Sequence, residues 1–281
     1  MLRSRLLLIS AAVLWSTSGL LIKSPALVAL PLADRGLMLA CYRALFAAVV
    51  MIPFVRLRAI RWRPMLLPMI ASFAAMNLLF VTSMTRTSAA AAIFLQYTSV
   101  VWASLLGRLF LGERITRGNL VAMIFAVCGI VWIVSHSAES RLTGNLIALG
   151  SGLSYAGVIF CLRYLRDEDS LWLVSLNHAV SGLLLLPWVL SLGISLGPSQ
   201  WSLAAVLGVF QMGLPYLLFA RGVRSVRTQE AALLTLLEPI LNPVWVLLFW
   251  GEPVGTATWL GGAMILGGLA ARYLLFSERS A

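Results

Sequence analysis

Apolar residues along this chain form ten long runs, which are separated by short segments that carry Arg, Pro or Gly. The runs cover residues 5–22, 36–55, 64–84, 89–109, 118–135, 144–162, 171–190, 202–220, 231–250 and 257–276. Most runs are close to the roughly 20 apolar residues that an α-helix needs to cross the hydrocarbon layer of a membrane. The pattern therefore predicts an all-α membrane protein with ten transmembrane helices, numbered here spans 1 to 10.

The composition supports this prediction and leaves little room for a soluble domain. Of the 281 residues, 60% are hydrophobic and 11% are charged, and the mean hydropathy is +0.94. A soluble domain is roughly 45–50% apolar and about 25% charged. The first run follows Arg3 and Arg5 in the manner of a signal peptide, but nine more runs follow it, so we expect an uncleaved first span.

The distribution of basic residues predicts the orientation in the membrane. The formal net charge is +11, which in a soluble protein would suggest a nucleic-acid partner. If the N-terminus is cytoplasmic, however, 16 of the 21 Lys and Arg residues fall on the cytoplasmic side, where such residues accumulate. The exceptions are Lys23, Arg35, Arg43, Arg86 and Arg141. We therefore predict cytoplasmic N and C termini, a multi-pass location in the inner membrane and no nucleic-acid partner.

The chain also contains an internal repeat. Residues 111–113, Leu-Gly-Glu after span 4, recur as residues 250–252, Trp-Gly-Glu after span 9. The same spacing aligns Leu95 with Leu234, one in each of these spans. Self-similarity over half of a chain is typical of a duplicated unit.

The repeat predicts two five-helix units, residues 1–138 and residues 139–281. Because five is an odd number, the second unit enters the membrane upside down relative to the first. Two inverted halves can exchange conformations and expose a central site to each side in turn, which is how a carrier works. A channel or a structural membrane protein is the alternative, and a channel would show flux without saturation.

The paired motifs resemble those of the EamA-type ten-helix transporters of the drug/metabolite transporter (DMT) superfamily. The motifs are residues 87–92 (Thr-Ser-Ala-Ala-Ala-Ala) and 111–113 in the first unit, and residues 229–232 (Gln-Glu-Ala-Ala), 236–239 (Leu-Leu-Glu-Pro) and 251–252 (Gly-Glu) in the second. The resemblance extends over nearly the whole chain. It implies a basket of helices around a cavity lined mainly by spans 1, 3, 4, 6, 8 and 9, and export of small metabolites, often amino acids, or of drugs.

One position departs from the family pattern. The proline that is usual in span 4 is Val100 here, whereas span 9 keeps Pro239. Since proline is a common cause of a helix kink, this difference predicts a straighter helix in span 4.

Glu238 is the strongest candidate for a functional residue, because it is the acidic residue near the middle of a span. A charge there costs roughly 2.5–3.5 kcal/mol on insertion scales. Thr235, Glu238 and Asn242 lie on one helix face, beside Pro239, and Gln96 is the repeat counterpart of Thr235 in span 4. We expect Glu238 to bind an amine or to carry a coupling proton. A protonated Glu238 that only joins helices is the alternative.

Two further ionisable residues lie within spans. Arg43 is about two turns inside the non-cytoplasmic end of span 2, where it can bind Glu238 or a substrate carboxylate, or extend its long side chain outward to the membrane surface. His178 in span 7 is a second candidate for proton coupling because histidine titrates near neutral pH. A hydrogen bond from His178 to a neighbouring carbonyl is the structural alternative.

Polar and aromatic side chains at matching positions of the two units complete the candidate cavity. Trp15 and Tyr155 correspond in spans 1 and 6, and Asn77 and Tyr216 correspond in spans 3 and 8. Other polar side chains within spans are Tyr97, Asn177 and Gln211. Aromatic residues with one polar group suit a largely apolar pocket for a small ligand. Each of these residues alone is equally suited to packing between helices.

The sequence argues against an enzyme. It has no HExxH, GxxxxGK[ST] or GxSxG motif, and its acidic cluster at residues 167–169 lies beside arginines in a short loop. Cys41, Cys128 and Cys161 fall in separate spans, as apolar packing residues do. We therefore predict no catalytic residues, no cofactor and no metal.

Together these features predict a secondary transporter, most plausibly an exporter of amino acids or related amines by alternating access. A multidrug or organic cation exporter of the same superfamily is the alternative. The predicted partners are a small-molecule substrate, the lipid bilayer and a coupling proton, and the protein is a monomer or a homodimer.

Overall fold

A computed structural model of the chain describes residues 2–112, 114–226 and 228–275. Glu113, which belongs to the first Leu-Gly-Glu motif, lies outside the described residues. The same holds for Arg227 and for residue 276, the predicted end of span 10.

Within these described ranges, ten helices are long and apolar enough to cross a membrane, as predicted. They are Leu2–Ile22, Leu32–Phe54, Leu66–Arg86, Ala89–Phe110, Arg117–Ser135, Glu139–Tyr164, Ser170–Ser191, Pro198–Ser225, Glu230–Trp250 and Thr256–Leu275. The part of the chain that the structure describes contains no β-strand. Span 6 begins five residues before its apolar run, at Glu139, since a helix can continue past the membrane into polar sequence.

Left-handed glycines end spans 4 and 9. Gly112 has φ 65° and Gly251 has φ 64°, and each follows the last residue of its helix. Glycine adopts this backbone conformation without the steric cost of a side chain, which makes it a common helix terminator. The motifs that revealed the repeat therefore have a common structural role.

Polar residues in the loops mark the starts of three helices. Ser88, Thr116 and Asp169 precede the helices of spans 4, 5 and 7, and the side chain of each accepts a hydrogen bond from the backbone N–H three residues later. Such N-caps satisfy amides that have no partner within the helix. They allow the short loops to stop one span and start the next.

Span 4 lies deepest in the bundle, while spans 5 and 10 pack against each other at its periphery. All residues of Ala89–Gln96 are buried. Spans 5 and 10 expose apolar residues such as Leu120, Val131 and Leu260, which suits contact with lipid chains. The burial of span 4 makes it the central element of the first half of the chain.

The prediction of a straighter span 4 is wrong, because spans 4 and 9 are both interrupted. Span 4 is helical over Ala89–Gln96 and Ser99–Leu111, and span 9 over Thr228–Thr235 and Leu237–Trp250. In span 4 the Thr98 hydroxyl and the Thr98 N–H both donate to the Leu95 carbonyl, at 2.6 and 3.3 Å. The threonine hydroxyl thus supplies a partner for a backbone carbonyl at this interruption, where the chain has no proline.

Span 8 contains a second irregularity, since residues Leu207–Gly213 form a π-helical segment within the otherwise α-helical span. Gln211 lies in this segment. Wide turns of this kind often occur at functional sites.

Spans 5 and 10 approach closely at Gly129 and Gly261. A Cβ atom added to Gly261 would lie 2.7 Å from the Gly129 carbonyl oxygen and 2.5 Å from the Ile133 side chain. Gly267, in the same helix, has open space around its Cα. Small residues let two membrane helices pack backbone to backbone, so the two glycines of span 10 should differ in tolerance to substitution.

We expect Gly261→Ala to lower the melting temperature of the purified protein. The clash costs about 1–3 kcal/mol, which exceeds the about 0.5–1 kcal/mol that alanine gains over glycine in a helix. Gly267→Ala is the matched control and should leave the melting temperature unchanged or raise it. Equal melting temperatures for the two variants in detergent would contradict the close packing of spans 5 and 10.

Candidate functional site

The interruptions of spans 4 and 9 meet through one side chain. The hydroxyl of Tyr97, at the break in span 4, donates to Glu238 Oε2 at 3.0 Å and to the Thr235 carbonyl at 3.3 Å. Both acceptors lie near the break in span 9. Tyr97 therefore links the two broken helices near the middle of their spans.

Pro239 explains why the Thr235 carbonyl is free to accept. Proline has no N–H, so the carbonyl four residues earlier loses its helical partner. The Thr235 hydroxyl cannot supply that partner because it donates to the Ala232 carbonyl at 2.8 Å. The Tyr97 hydroxyl thus shares its single hydrogen between two acceptors, a backbone carbonyl and a carboxylate.

The other two residues predicted for this part of the site face neighbouring spans. Asn242 is fully buried and donates to Ser18 in span 1 at 2.7 Å. Gln96 donates to Ser151 in span 6 at 2.9 Å, and Ser151 donates to the Met76 carbonyl in span 3 at 3.3 Å. Both side chains join spans around the Tyr97–Glu238 contact rather than taking part in it.

Arg43 lies in the interior of the protein, with 2% of its surface exposed. Its Nε donates to Asn77 Oδ1 at 2.7 Å, and Asn77 Nδ2 donates to the Ala40 carbonyl at 2.9 Å and to Ser181 at 3.4 Å. The guanidinium carbon is 5.6 Å from the centre of the Phe80 ring. Because the side chain is buried, it does not extend outward to the membrane surface.

Arg43 and Glu238 do not pair with each other. They are not among the ion pairs that the described residues form. Arg43 Nη1 is buried and has no hydrogen-bond partner among those residues. Arg43 therefore keeps a buried N–H donor group that none of the described residues uses.

His178 is fully buried between aromatic rings in span 7. Its Nδ1 is 2.9 Å from the Val174 carbonyl, which can only accept, so this nitrogen carries a hydrogen. Its ring lies 4.6 Å from Phe73 and 5.3 Å from Tyr216, centre to centre. The contact with Val174 is the hydrogen bond to a neighbouring carbonyl that the sequence analysis gave as the structural alternative. The other ring nitrogen, Nε2, has no hydrogen-bond partner among the described residues.

Tyr216 joins His178 to an aromatic wall on span 1. The rings of Trp15 and Tyr216 are 5.1 Å apart in an edge-to-face arrangement. Gln211, from the π-helical segment, donates to the Trp15 carbonyl at 3.2 Å. Tyr155 of span 6 packs against the cluster that contains Phe73.

Several buried polar atoms in this region have no hydrogen-bond partner among the described residues. Besides Arg43 Nη1 and His178 Nε2, they are Asn177 Oδ1, Gln211 Oε1 and Asn242 Oδ1. Such atoms are rare inside proteins because each loses its interactions with water. Buried groups of this kind elsewhere in the chain, such as Trp102 Nε1, show that the feature is not confined to the candidate site.

The structure groups the predicted residues into three neighbouring sets. The first is Tyr97, Thr235 and Glu238, the second is Arg43 and Asn77, and the third is Trp15, Tyr216, His178 and Gln211. Asn77 and Tyr216, which correspond in the repeat, belong to different sets. Sequence reasoning missed Ser151 and Ser181, because single serines are common in membrane helices and nothing in their spacing distinguishes these two.

The described residues contain no group of three or more His, Cys, Asp and Glu side chains that could hold a metal ion. The chemistry available at this site is therefore that of hydrogen bonds, one carboxylate, one guanidinium and aromatic rings.

An ion pair lies at the far end of the bundle, which is defined here as the end where span 1 finishes. Lys23 pairs with Glu252 and donates to the Thr87 carbonyl at 2.9 Å, while Glu252 Oε1 accepts from the Ala89 N–H at 2.9 Å. Burial lowers the pKa of Lys23, and the charge of Glu252 opposes this change. These contacts join the ends of spans 1, 3 and 9 to the start of span 4.

At the near end, where span 1 begins, Arg5 pairs with Glu230 and Arg63 pairs with Glu168 at 2.9 Å. Each of these three pairs, Lys23–Glu252, Arg5–Glu230 and Arg63–Glu168, connects the first half of the chain with the second.

Comparison with known proteins agrees with these features. The EamA-like transporter family matches residues 2–135 and 142–273. An uncharacterized transporter of Archaeoglobus fulgidus is 30% identical over 191 residues, which cover 68% of this chain and 69% of that protein. The pseudopaline exporter CntI of Pseudomonas aeruginosa is 26% identical over 178 residues, 62% of each chain.

A solved crystal structure has the same fold. It superposes with a TM-score of 0.70 and covers 98% of both chains at 17% identity. The family match extends over almost the whole sequence, and the ten apolar helices are those of a multi-pass membrane protein. The chain therefore belongs to the EamA-like transporter family of the drug/metabolite transporter superfamily.

Proposed function

We propose that this membrane transporter is an alternating-access secondary carrier that exports amino acids or related amines across the inner membrane. The observation that carries the proposal is the contact of Tyr97 with Glu238 and Thr235, which joins the interruptions of spans 4 and 9. Carriers with inverted repeats commonly bind substrate near the middle of the membrane, where helices are discontinuous.

The interrupted helices offer backbone polar groups that would be hydrogen-bonded within a continuous helix. Inside a membrane, non-helical backbone is tolerated where it is buried in protein or lines a cavity. Tyr97 now occupies the free carbonyl of Thr235 and one oxygen of Glu238. A substrate ammonium group is a stronger donor than a phenol and can replace Tyr97 at both acceptors.

The separation of Arg43 from Glu238 favours a substrate with two opposite charges. A buried charge without a partner is destabilising, and each of these residues meets only neutral hydrogen-bonding groups. A substrate carboxylate at Arg43 Nη1 and a substrate amine at Glu238 would provide both missing partners. Trp15, Tyr216 and Tyr155 supply aromatic surface for an apolar side chain.

Alternating access follows from the proposed inverted relation of residues 1–138 and 139–281. The Lys23–Glu252 pair holds the far end closed by joining the two halves, and this pair must separate when that end opens. We assign the near end to the cytoplasm because the Lys and Arg residues accumulate there. The relative named as a pseudopaline exporter supports the direction of transport.

Glu238 and His178 are the candidates for proton coupling. Glu238 can exchange its proton for a substrate amine, and His178 has a buried Nε2 without a partner. An exporter of organic cations is the second candidate function, since Glu238 and the Trp15–Tyr216 rings suit a cation that has no carboxylate.

A thermal-shift screen of amino acids, amines and organic cations on the purified protein identifies the substrate class. A ligand that binds only the folded state raises the melting temperature in proportion to its occupancy. Stabilisation by amino acids is the expected result. Stabilisation by organic cations alone would replace the amino acid proposal with the second candidate.

We expect Glu238→Gln to reduce transport of the identified substrate in proteoliposomes by about tenfold or more. The glutamine still accepts from Tyr97, but it loses a charge-assisted hydrogen bond worth about 1.5–3 kcal/mol. Glu139→Gln, at an exposed position, is the matched control. Transport by Glu238→Gln at the wild-type rate, with unchanged dependence on pH, would remove the assigned role.

Arg43→Lys tests carboxylate recognition. Lysine keeps the positive charge but loses the planar, bidentate geometry of arginine. We expect transport of an amino acid to fall by about tenfold, and transport of the corresponding amine without a carboxylate to change little. If both compounds are transported as by the wild type, Arg43 does not bind the substrate.

Glu252→Gln tests closure of the far end. The amide still accepts from the Ala89 N–H, but the ion pair with Lys23 is lost, at a cost of roughly 1 kcal/mol. Hydrogen–deuterium exchange in Ala89–Gln96 should therefore become about fivefold faster. Glu168→Gln, which removes the ion pair with Arg63 at the near end, should leave exchange in this segment unchanged. Equal effects of the two variants would show that the far-end pair has no specific role.

A further inference from the structure

A polar cavity lies at the near end of the bundle, between the ends of spans 2 and 8 and the start of span 7. Its volume is about 380 Å³, and Arg56, Arg221 and Arg224 are the basic residues that line it. We call it the arginine cleft. Ligand pockets have volumes of about 300–1,000 Å³, so the arginine cleft is large enough for a small anionic group.

The three arginines have no acidic partner. The ion pairs within the described ranges are Arg5–Glu230, Lys23–Glu252 and Arg63–Glu168, and none of them includes an arginine of the cleft. All three arginines are exposed. Positive charges that share one cavity and outnumber the negative charges beside them attract an anion.

The two acidic residues in the wall of the cleft have other partners. The Glu168 side chain is 5% exposed and pairs with Arg63 at 2.9 Å. Asp169 accepts from the Trp172 N–H at 2.9 Å and caps the helix of span 7. The three arginines also outnumber these two carboxylates, so the arginine cleft keeps an excess of positive charge.

Apolar residues of the same cavity indicate which anion fits. Phe54, at the end of span 2, is about half exposed, and the Arg221 guanidinium carbon lies 5.9 Å from the centre of its ring. Leu171 and Leu217 line the cleft as well. A phosphate group attached to an apolar body can contact both the arginines and the apolar residues of the cleft. A free inorganic anion can contact only the arginines.

We propose that the arginine cleft binds the headgroup phosphate of an anionic phospholipid. Arg56, Arg221 and Arg224 contact the phosphate oxygens, and Phe54 packs against the glycerol and the first carbons of the acyl chains. Basic pockets between membrane helices bind lipid headgroups in this way. The site is separate from the proposed substrate site, and its occupancy does not depend on the identity of the substrate.

Native mass spectrometry of the purified full-length protein in a neutral detergent tests the proposal. We expect phosphatidylglycerol to remain bound and to raise the melting temperature, and phosphatidylcholine and inorganic phosphate to do neither at the same concentration. The triple variant Arg56→Gln, Arg221→Gln, Arg224→Gln should bind phosphatidylglycerol on the order of 100-fold more weakly, since each basic residue contributes about 1 kcal/mol.

The matched control is the triple variant Arg58→Gln, Arg61→Gln, Arg108→Gln. It removes the same charge from exposed positions outside the arginine cleft and should bind like the wild type. The proposal is overturned if both triple variants lose affinity equally, if the cleft variant keeps wild-type affinity, or if inorganic phosphate stabilises the protein as strongly as the lipid. If the cleft variant does not fold, the single variants Arg56→Gln and Arg224→Gln replace it, each with an expected loss of about fivefold.

Discussion

The hydrocarbon layer of a membrane contains no water, so the polar groups of every spanning segment must find partners within the protein. Spans 4 and 9 depart from the simplest solution, because both helices are interrupted near their middles. The Thr98 hydroxyl binds a carbonyl at one interruption, and the Tyr97 hydroxyl binds a carbonyl at the other. The same groups that repair the backbone therefore bring the two spans together and surround Glu238 with polar atoms.

Arg43, which is buried, and Glu238, which is partly buried, show how the protein holds two opposite charges apart. Asn77 accepts a hydrogen bond from Arg43, Tyr97 donates one to Glu238, and the two charges do not form an ion pair. A direct ion pair between them would satisfy both, but it would leave nothing for a ligand to replace. A site in which a buried donor of Arg43 has no partner among the described residues suits a transporter, which must bind its substrate and then release it.

The sequence predicted the fold more fully than the site, for physical reasons. Ten apolar runs predict ten spans because the thickness of the membrane fixes the length of a span. Each run can therefore be recognised by its own length, without reference to its neighbours. The interruption of span 4 was missed because it involves a threonine hydroxyl and not a proline. Threonine also occurs in straight helices, so its presence in the sequence does not indicate an interruption. The repeat matched Asn77 with Tyr216, yet Asn77 contacts Arg43 and Tyr216 contacts Trp15, since contacts across helix faces depend on rotation and depth that spacing does not specify.

The π-helical segment of span 8 has a consequence for how this span can change. A π-helical turn holds an extra residue compared with an α-helical turn. If Leu207–Gly213 became α-helical by displacing one residue, the following part of the span would rotate by about 100° around its own axis. Tyr216 would then turn away from Trp15, and the loop at one end of the span would gain the displaced residue. Span 8 thus contains, within its own backbone, a means of exchanging the side chains on its inner face without tilting.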